Sequence, residues 1–208
     1  MDLSYSTKNL FPIIIHCFDI NGFEQIQNQL IDYSYELKKK NPVGEVFSNR
    51  GGWQSSCMDV KNDGDILQQF LINCVGGIPS IDESTSIHMA SWININCTNS
   101  YNIKHNHPGS HLAGVLWLKC PEKCGNIIFN NPYDFTGVGE LQAYTQDFKK
   151  EKNFYHSYWF PPTEGRILIF PAHLEHHVEP NESKEDRISV SFNIFLRKTT
   201  DTGPLGWL

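Results

Sequence analysis

The apolar positions of this chain repeat at helical spacing near its start and at strand spacing in its second half. Residues 10–18 are apolar and read as a strand. Asn21-Gly22-Phe23-Glu24 then has the form of a capping box, with Asn21 as N-cap and Glu24 reaching back. Phe23, Ile26, Leu30, Tyr33 and Leu37 follow at steps of three and four, which predicts an amphipathic helix. Lys38-Lys39-Lys40 suits its negative C-terminal end as a solvated helix terminus. A Gly51-Gly52 turn precedes a second short helix predicted around Asp65–Cys74.

From residue 87 onward the period changes to two. Strands are predicted at Ile87–Cys97, His111–Leu118, Gly125–Asn130, Asn153–Phe160, Arg166–Phe170 and Arg187–Leu196, with a helix within 139–150. Helices first and strands after predict an α+β, mainly β, plan: helices packed on one side of a β sandwich or closed roll. One domain is expected over 1–208, with an N-terminal strand and supporting helices to residue 86, a β core over 87–197 and a tail from 198.

Composition narrows the class. The 208 residues are 39% hydrophobic, 12% aromatic and 19% charged, which suits a folded domain and excludes a coiled coil or disordered chain. A net charge of −6 argues against bulk binding of nucleic acid. No apolar run reaches the length of a membrane span. The N-terminal apolar stretch is broken by His16 and Asp19, so a cytoplasmic protein without a secretory signal is expected. The six cysteines are scattered, and a C-x3-C pair at Cys120 and Cys124 is not the usual zinc spacing. Reduced, buried thiols are the expectation.

Six of the nine histidines fall in two short stretches. The first, Tyr101 to His111, contains His105, His107 and His111. In extended chain, residues two apart share a face, so His105 and His107 can reach one metal ion. The second, Phe170 to Pro180, contains His173, His176 and His177 and reads as a turn between two strands. His16, His88 and His156 read as solvated side chains.

A further signal is the strand Arg187 to Asn193. Ile188, Val190, Phe192, Ile194 and Leu196 share one face; Arg187, Ser189, Ser191 and Asn193 share the other. A buried arginine needs a partner. Either an anionic ligand takes a two-pronged guanidinium bond with help from a serine, or a salt bridge forms to Glu175, Glu179 or Asp186.

With imidazoles followed 11 residues after His176 by Arg-x-Ser, the sequence resembles the Fe(II)- and 2-oxoglutarate-dependent oxygenases. It is most similar to the prolyl-hydroxylase-like group of bacteria and phages. Leu10-Phe11-Pro12, Ser48 through Ser55, Ser91 through Asn96, the His105–Gly114 stretch, Phe170-Pro171 and Arg187–Asn193 carry the likeness, in order. It implies a double-stranded β-helix (jelly roll) with N-terminal helices against one sheet. It also implies Fe(II), 2-oxoglutarate and O2 as cofactors. His105 and His107 take the place of the family's H-x-D/E pair, and His176 is the distal ligand. Arg187 with Ser189 would bind the C5 carboxylate of 2-oxoglutarate, while Tyr101, Asn94 and Trp117 would line that pocket. No residue beyond the metal site is singled out as catalytic.

The departure is the missing carboxylate: three imidazoles leave the centre more positive than two histidines and an acid. A second arrangement makes His107-Pro108-Gly109 an H-x-G, with two histidine ligands and a position open to water or halide, as in related halogenases. The three-histidine set is preferred. His111 is assigned to a supporting place, and His173 and His177 to solvated or hydrogen-bonded ones. The reaction implied is hydroxylation of a peptide or small molecule, with decarboxylation of 2-oxoglutarate to succinate. Gly51 through Gln54 and the stretch 131–160, with Tyr133, Phe135, Tyr155 and Trp159, are expected at the rim. The alternatives are a cupin-like three-histidine protein, either a zinc hydrolase or another dioxygenase, and a non-catalytic metal-binding module. Oligomeric state is open, with a homodimer one option.

Overall fold

A computed structural model describes residues 4–8, 11–59, 66–78, 81–133 and 143–198. The elements run β1 (His16–Asp19), α1 (Glu24–Lys40), β2 (Asn49–Arg50), β3 (Trp53–Gln54), β4 (Met58–Asp59), α2 (Ile66–Gly76), β5 (Thr85–Asn96) and β6 (Tyr101–His105). They continue with β7 (Leu112–Lys119), β8 (Ile127–Asn130), α3 (Gln146–Lys152), β9 (Ser157–Phe160), β10 (Arg166–Pro171), β11 (His176–Val178) and β12 (Arg187–Lys198). The tail from residue 199 and Phe135 lie outside the described residues, as do Leu10, Asp65 and the first part of the helix expected within 139–150.

The strands form two antiparallel sheets. One is seven-stranded, in the order β1-β10-β7-β12-β5-β3 with β4 also on β5; the other is five-stranded, β2-β6-β11-β8-β9. This is the jelly roll that the helix-then-strand pattern and the family resemblance predict. The Gly51-Gly52 turn carries the chain between sheets, because β2 pairs with β6 and β3 pairs with β5.

Strict alternation gives the larger sheet two buried faces. Its outer face carries Ile93, Ile95, Leu116, Leu118, Ile167, Ile169, Ile188, Val190, Phe192 and Ile194, which pack in one core with Leu30, Tyr33 and Leu37 of α1 and Leu71 and Val75 of α2. Its inner face divides along the sheet. Ala113, Val115, Trp117, Leu168 and Phe170 meet Ile127 and Phe129 of the smaller sheet in a second apolar core. On β12 and β5 the inward positions are Arg187, Ser189, Ser191, Asn193, Asn94 and Asn96, and there the space between sheets stays open. Apolar inner positions fill one side of the sandwich and wall the cavity that the polar ones face.

Close packing of β7 on β12 depends on Gly114, which pairs with Phe192. A Cβ there would lie 2.3 Å from the Phe192 ring and 2.7 Å from the Leu168 carbonyl oxygen. Gly114→Ala is therefore expected to destabilise the fold by roughly 1–3 kcal/mol, the usual cost of overpacking a filled core. Urea unfolding measures it, and an unchanged midpoint would contradict this packing.

Four local expectations are corrected. The first strand covers only His16–Asp19, not 10–18. Pro12 lacks an N–H and restricts the residue before it, Phe11 has φ 57°, and Ile13 and Ile15 pack into the second core instead. Asn21 does not cap α1: the helix starts at Glu24 with Phe23 at the cap position and no side-chain cap. Residues 21–23 already turn, with the Gln25 N–H donating to the Gly22 carbonyl, and burial of Phe23 draws the chain inward. Ile26, expected in the apolar stripe, is exposed. The six cysteines, expected buried, are free, but only Cys124 is buried: Cys74 and Cys120 are half-buried, and Cys17, Cys57 and Cys97 are exposed.

Candidate metal centre and cosubstrate cavity

His105 ends β6 and pairs directly with His176 on β11. Of the second histidine cluster, His173 lies in the expected turn, 172–174, whereas His176 and His177 lie on β11, the central strand of the smaller sheet. His107 lies two residues past β6, where its N–H donates to the Ala172 carbonyl at 2.9 Å and holds the chain extended. Ring centroids of His105 and His176 are 4.4 Å apart, and His107 Nε2 is 3.4 Å from His176 Nε2. One ring nitrogen from each of the three lies within 4.8 Å of the others. This is the only such group of His, Cys, Asp or Glu among the described residues, and it contains no carboxylate.

Backbone carbonyls orient two of the rings. His105 Nδ1 lies 2.7 Å from the Ile103 oxygen and His176 Nδ1 2.9 Å from the Leu174 oxygen. A carbonyl only accepts, so each Nδ1 carries the proton and each Nε2 offers a lone pair. Phe170 packs edge-on against His176 at 4.8 Å between centroids, and Trp92 tilts over His107 at 5.9 Å.

Burial disfavours the imidazolium in all three. It lowers the pKa of His105; it takes His107 to about 4, helped by the charge of His105 and opposed by Asn193; and it takes His176 to about 3, with His105 adding to the effect. The rings are therefore neutral at pH 7, the form that binds a metal cation. Each is protonated more readily in the unfolded chain, near pH 6.5, so the unfolded state binds more protons below that pH. The metal-free protein should accordingly lose stability as pH falls from about 6.5. Its melting temperature should drop more steeply than that of a His176→Gln variant, and parallel curves would refute this.

The triad opens on a cavity of about 810 Å³ between the sheets. Arg187 lines it at 3% exposure, and Ser189 follows on the same face. The guanidinium donates from Nη1 to the Cys124 carbonyl, to that of Gly125 at 3.3 Å and to that of Glu179 at 3.4 Å. Burial pushes its pKa down, and the neighbouring Cys124 and Cys120 thiols oppose this. No carboxylate pairs with it among the described residues. Glu175 pairs with Lys104, the Glu179 carboxylate accepts from Asn126, and Asp186 accepts from Tyr35. A salt bridge from Arg187 to Glu175, Glu179 or Asp186 is therefore ruled out: among the described residues this is a buried cation without an anionic partner.

Asn94 and Trp117 line the cavity, as expected. Asn94 Nδ2 donates to Ser191 Oγ at 3.0 Å, while its buried Oδ1 has no partner. Tyr101 does not line it; it is 39% exposed beside Arg50 on β2. His111 accepts the Leu196 N–H on Nδ1, His173 is exposed, and His177 is half-buried beside His176. Gln54 reaches the cavity, but Tyr133 and Tyr155 line a separate cleft between residues 11–15 and β8–β9, and Trp159 is a surface residue. Glu45 and Phe47, which no motif marks, line the cavity together with Ser48.

A profile of the family described as "Putative 2OG-Fe(II) oxygenase" matches residues 90–193, half of the chain, from β5 to β12. The chain belongs to this 2OG-Fe(II) oxygenase family. It is thus a 2-oxoglutarate-dependent oxidoreductase whose cofactors are Fe(II), 2-oxoglutarate and O2. Its fold is similar to that of a prolyl-4-hydroxylase from Pseudomonas putida, at 12% identity and a TM-score of 0.57, covering 88% of this chain and 92% of that one. A non-heme α-ketoglutarate-dependent carbocyclase from nogalamycin biosynthesis gives a TM-score of 0.58 at 10% identity, over 86% and 78%. A prolyl hydroxylase from Trichoplax adhaerens, in complex with a hypoxia-inducible-factor peptide, gives 0.56 at 14% identity, over 87% and 83%. No curated protein matches the sequence.

The residues present fit the implied metal. Three neutral imidazole nitrogens converge, two of them with their other nitrogen bonded to a carbonyl, the usual support for a ligating histidine. The buried, anion-free guanidinium in the same cavity fits a dicarboxylate.

Proposed function

We propose that His105, His107 and His176 hold the Fe(II), that Arg187 with Ser189 binds the far carboxylate of 2-oxoglutarate, and that the enzyme hydroxylates a C–H bond of a small molecule or peptide in the same cavity. The observation that carries this reading is a buried arginine, with no anionic partner among the described residues, sharing one cavity with three convergent histidines. A zinc hydrolase or a structural metal site has no use for that arginine.

When bound, Fe(II) with 2-oxoglutarate and O2 supplies the oxidising chemistry, with 2-oxoglutarate leaving as succinate and CO2. The protein's part is placement. Arg187 is fixed by three carbonyls before any ligand arrives, so little is lost in ordering it. Ser189 adds a hydroxyl on the same face, and the unbonded Oδ1 of Asn94 can accept from a ligand or water. Val115, Trp117, Ile127, Phe170 and Val178 give the cavity an apolar wall that limits water near the reacting centre. The three imidazoles bring no negative charge, so the two carboxylates of 2-oxoglutarate would offset two of the three positive charges of the metal and Arg187.

Succinate formation tests the proposal. Aerobic incubation with Fe(II) and 2-oxoglutarate should release succinate slowly without substrate, and replacing Fe(II) by Zn(II) should stop it. Succinate release that ignores the metal would overturn the reading.

A further inference from the structure

In the connection between α1 and β2, Glu45, Phe47 and Ser48 line the cavity and form a fixed lip on it. Val43, Val46 and Phe47 are 86%, 74% and 68% exposed, and of the three Phe47 lines the cavity. The backbone beneath them is tied down. The Glu45 N–H donates to the Gln54 carbonyl at 2.9 Å, the Asn49 side chain donates to the Glu45 carbonyl at 3.1 Å, and the Phe47 N–H donates to Asn49 Oδ1 at 2.9 Å. Gly44 has φ +64°, and a Cβ there would lie 2.4 Å from the Gln54 oxygen and 2.6 Å from Trp53 Nε1, so only glycine lets the lip sit this close. The lip is thus preorganised, and Phe47 faces both solvent and the cavity that Ile103 also lines.

Glu45 sits between the apolar residues and is the one carboxylate among the described residues lining the cavity. Its Oε1 accepts the Ser56 hydroxyl at 3.0 Å, which aims the group and leaves acceptor capacity for a donor in the cavity. The other permanent charge in the cavity wall is the cation of Arg187. The cavity therefore carries an anion-binding residue and a cation-binding one, and the proposed function assigns a ligand only to the first.

Resting on that reading, we infer that the Glu45–Phe47 lip selects the primary substrate. That substrate is an organic cation whose ammonium group pairs with Glu45 while its apolar body lies on Phe47 and Ile103. A free amine and the lysine side chain of a peptide share this chemistry.

Calorimetric titration tests it with three probes: 2-phenylethylammonium, its neutral isostere 2-phenylethanol, and N-acetyl-lysine methylamide. Each is titrated at pH 7, anaerobically, into protein loaded with Fe(II) and 2-oxoglutarate and into metal-free protein. Phenylethylammonium should bind about tenfold tighter than the alcohol, the scale of one charge-assisted hydrogen bond. Glu45→Gln, which keeps the shape and the Ser56 contact, should erase that preference; Phe47→Ala should weaken ammonium and alcohol alike. A tighter lysine probe assigns the source to a peptide, and a tighter phenylethylammonium assigns it to a free amine. Equal affinity for ammonium and alcohol in the wild type, or a preference that survives Glu45→Gln, overturns the inference. If Fe(II) and 2-oxoglutarate load but the preference is absent, only this inference falls. If the preference is present but neither cofactor loads, it is the iron reading that falls.

Discussion

His105→Ala is expected to lower Fe(II) affinity by more than about a hundredfold, beyond the tenfold to hundredfold typical of an outer partner of a metal ligand. The reason is geometric. His105 and His176 are register partners on adjacent strands, and His107 is brought alongside by its backbone bond to Ala172. Removing one leaves two imidazoles and no carboxylate to take its place. The same substitution separates the two ligand sets the sequence allows. If His107-Pro108-Gly109 were an H-x-G with His176 as the second ligand, His105→Ala would be mild. The fold should survive, because His105 is only half-buried at a strand end. His111→Ala and His173→Ala serve as controls and should leave the metal in place. Equilibrium dialysis of Fe(II) under anaerobic conditions gives the answer, and near-wild-type affinity in His105→Ala would reject the three-histidine site.

Arg187→Met is expected to raise the KM for 2-oxoglutarate by about a hundredfold or more while leaving Fe(II) binding unchanged. Hydrogen bonds to a charged group contribute about 1.5–3 kcal/mol each, and a two-pronged pair doubles that. Methionine fills a similar volume without the charge, so the cost of exposing a cavity is avoided. Three carbonyls lose a donor, which destabilises the variant, but the desolvation cost of the buried cation disappears too. Lysine at this position should recover only part of the affinity, since an ammonium cannot present the planar fork. An unchanged KM in Arg187→Met would place the cosubstrate elsewhere.

Much of this was legible in the chain where the physics is local. The alternation from Arg187 to Leu196 separated a core face from a cavity face because a strand flips each residue and both faces of this sheet are buried. The period change near residue 87 marked β5 for the same reason. Other features depend on contacts distant in sequence. Strands β2, β3 and β4 have two residues each, too few for a pattern, and exist because β5 and β6 offer free edges. Tyr101 shares the polar-aromatic look of a pocket residue, yet its place on β6 turns it to the surface. His176 looked like a turn residue because Pro171 and Pro180 flank it, but two neighbouring strands draw 176–178 into a sheet. The Asn21 cap failed because burial of Phe23 against the sheet outweighs one capping bond. Glu45 and Phe47 carry no motif and stand out only because they line the cavity.

The measurement that bears most directly on the central claim is an anaerobic titration of the wild-type protein with Fe(II) in the presence of 2-oxoglutarate, followed by its visible absorption. One metal-to-ligand band should grow to saturation at one Fe(II) per chain and disappear in His105→Ala and Arg187→Met. A protein that gives no such band, or one whose band survives both substitutions, contradicts a three-histidine iron site with Arg187 as the cosubstrate anchor.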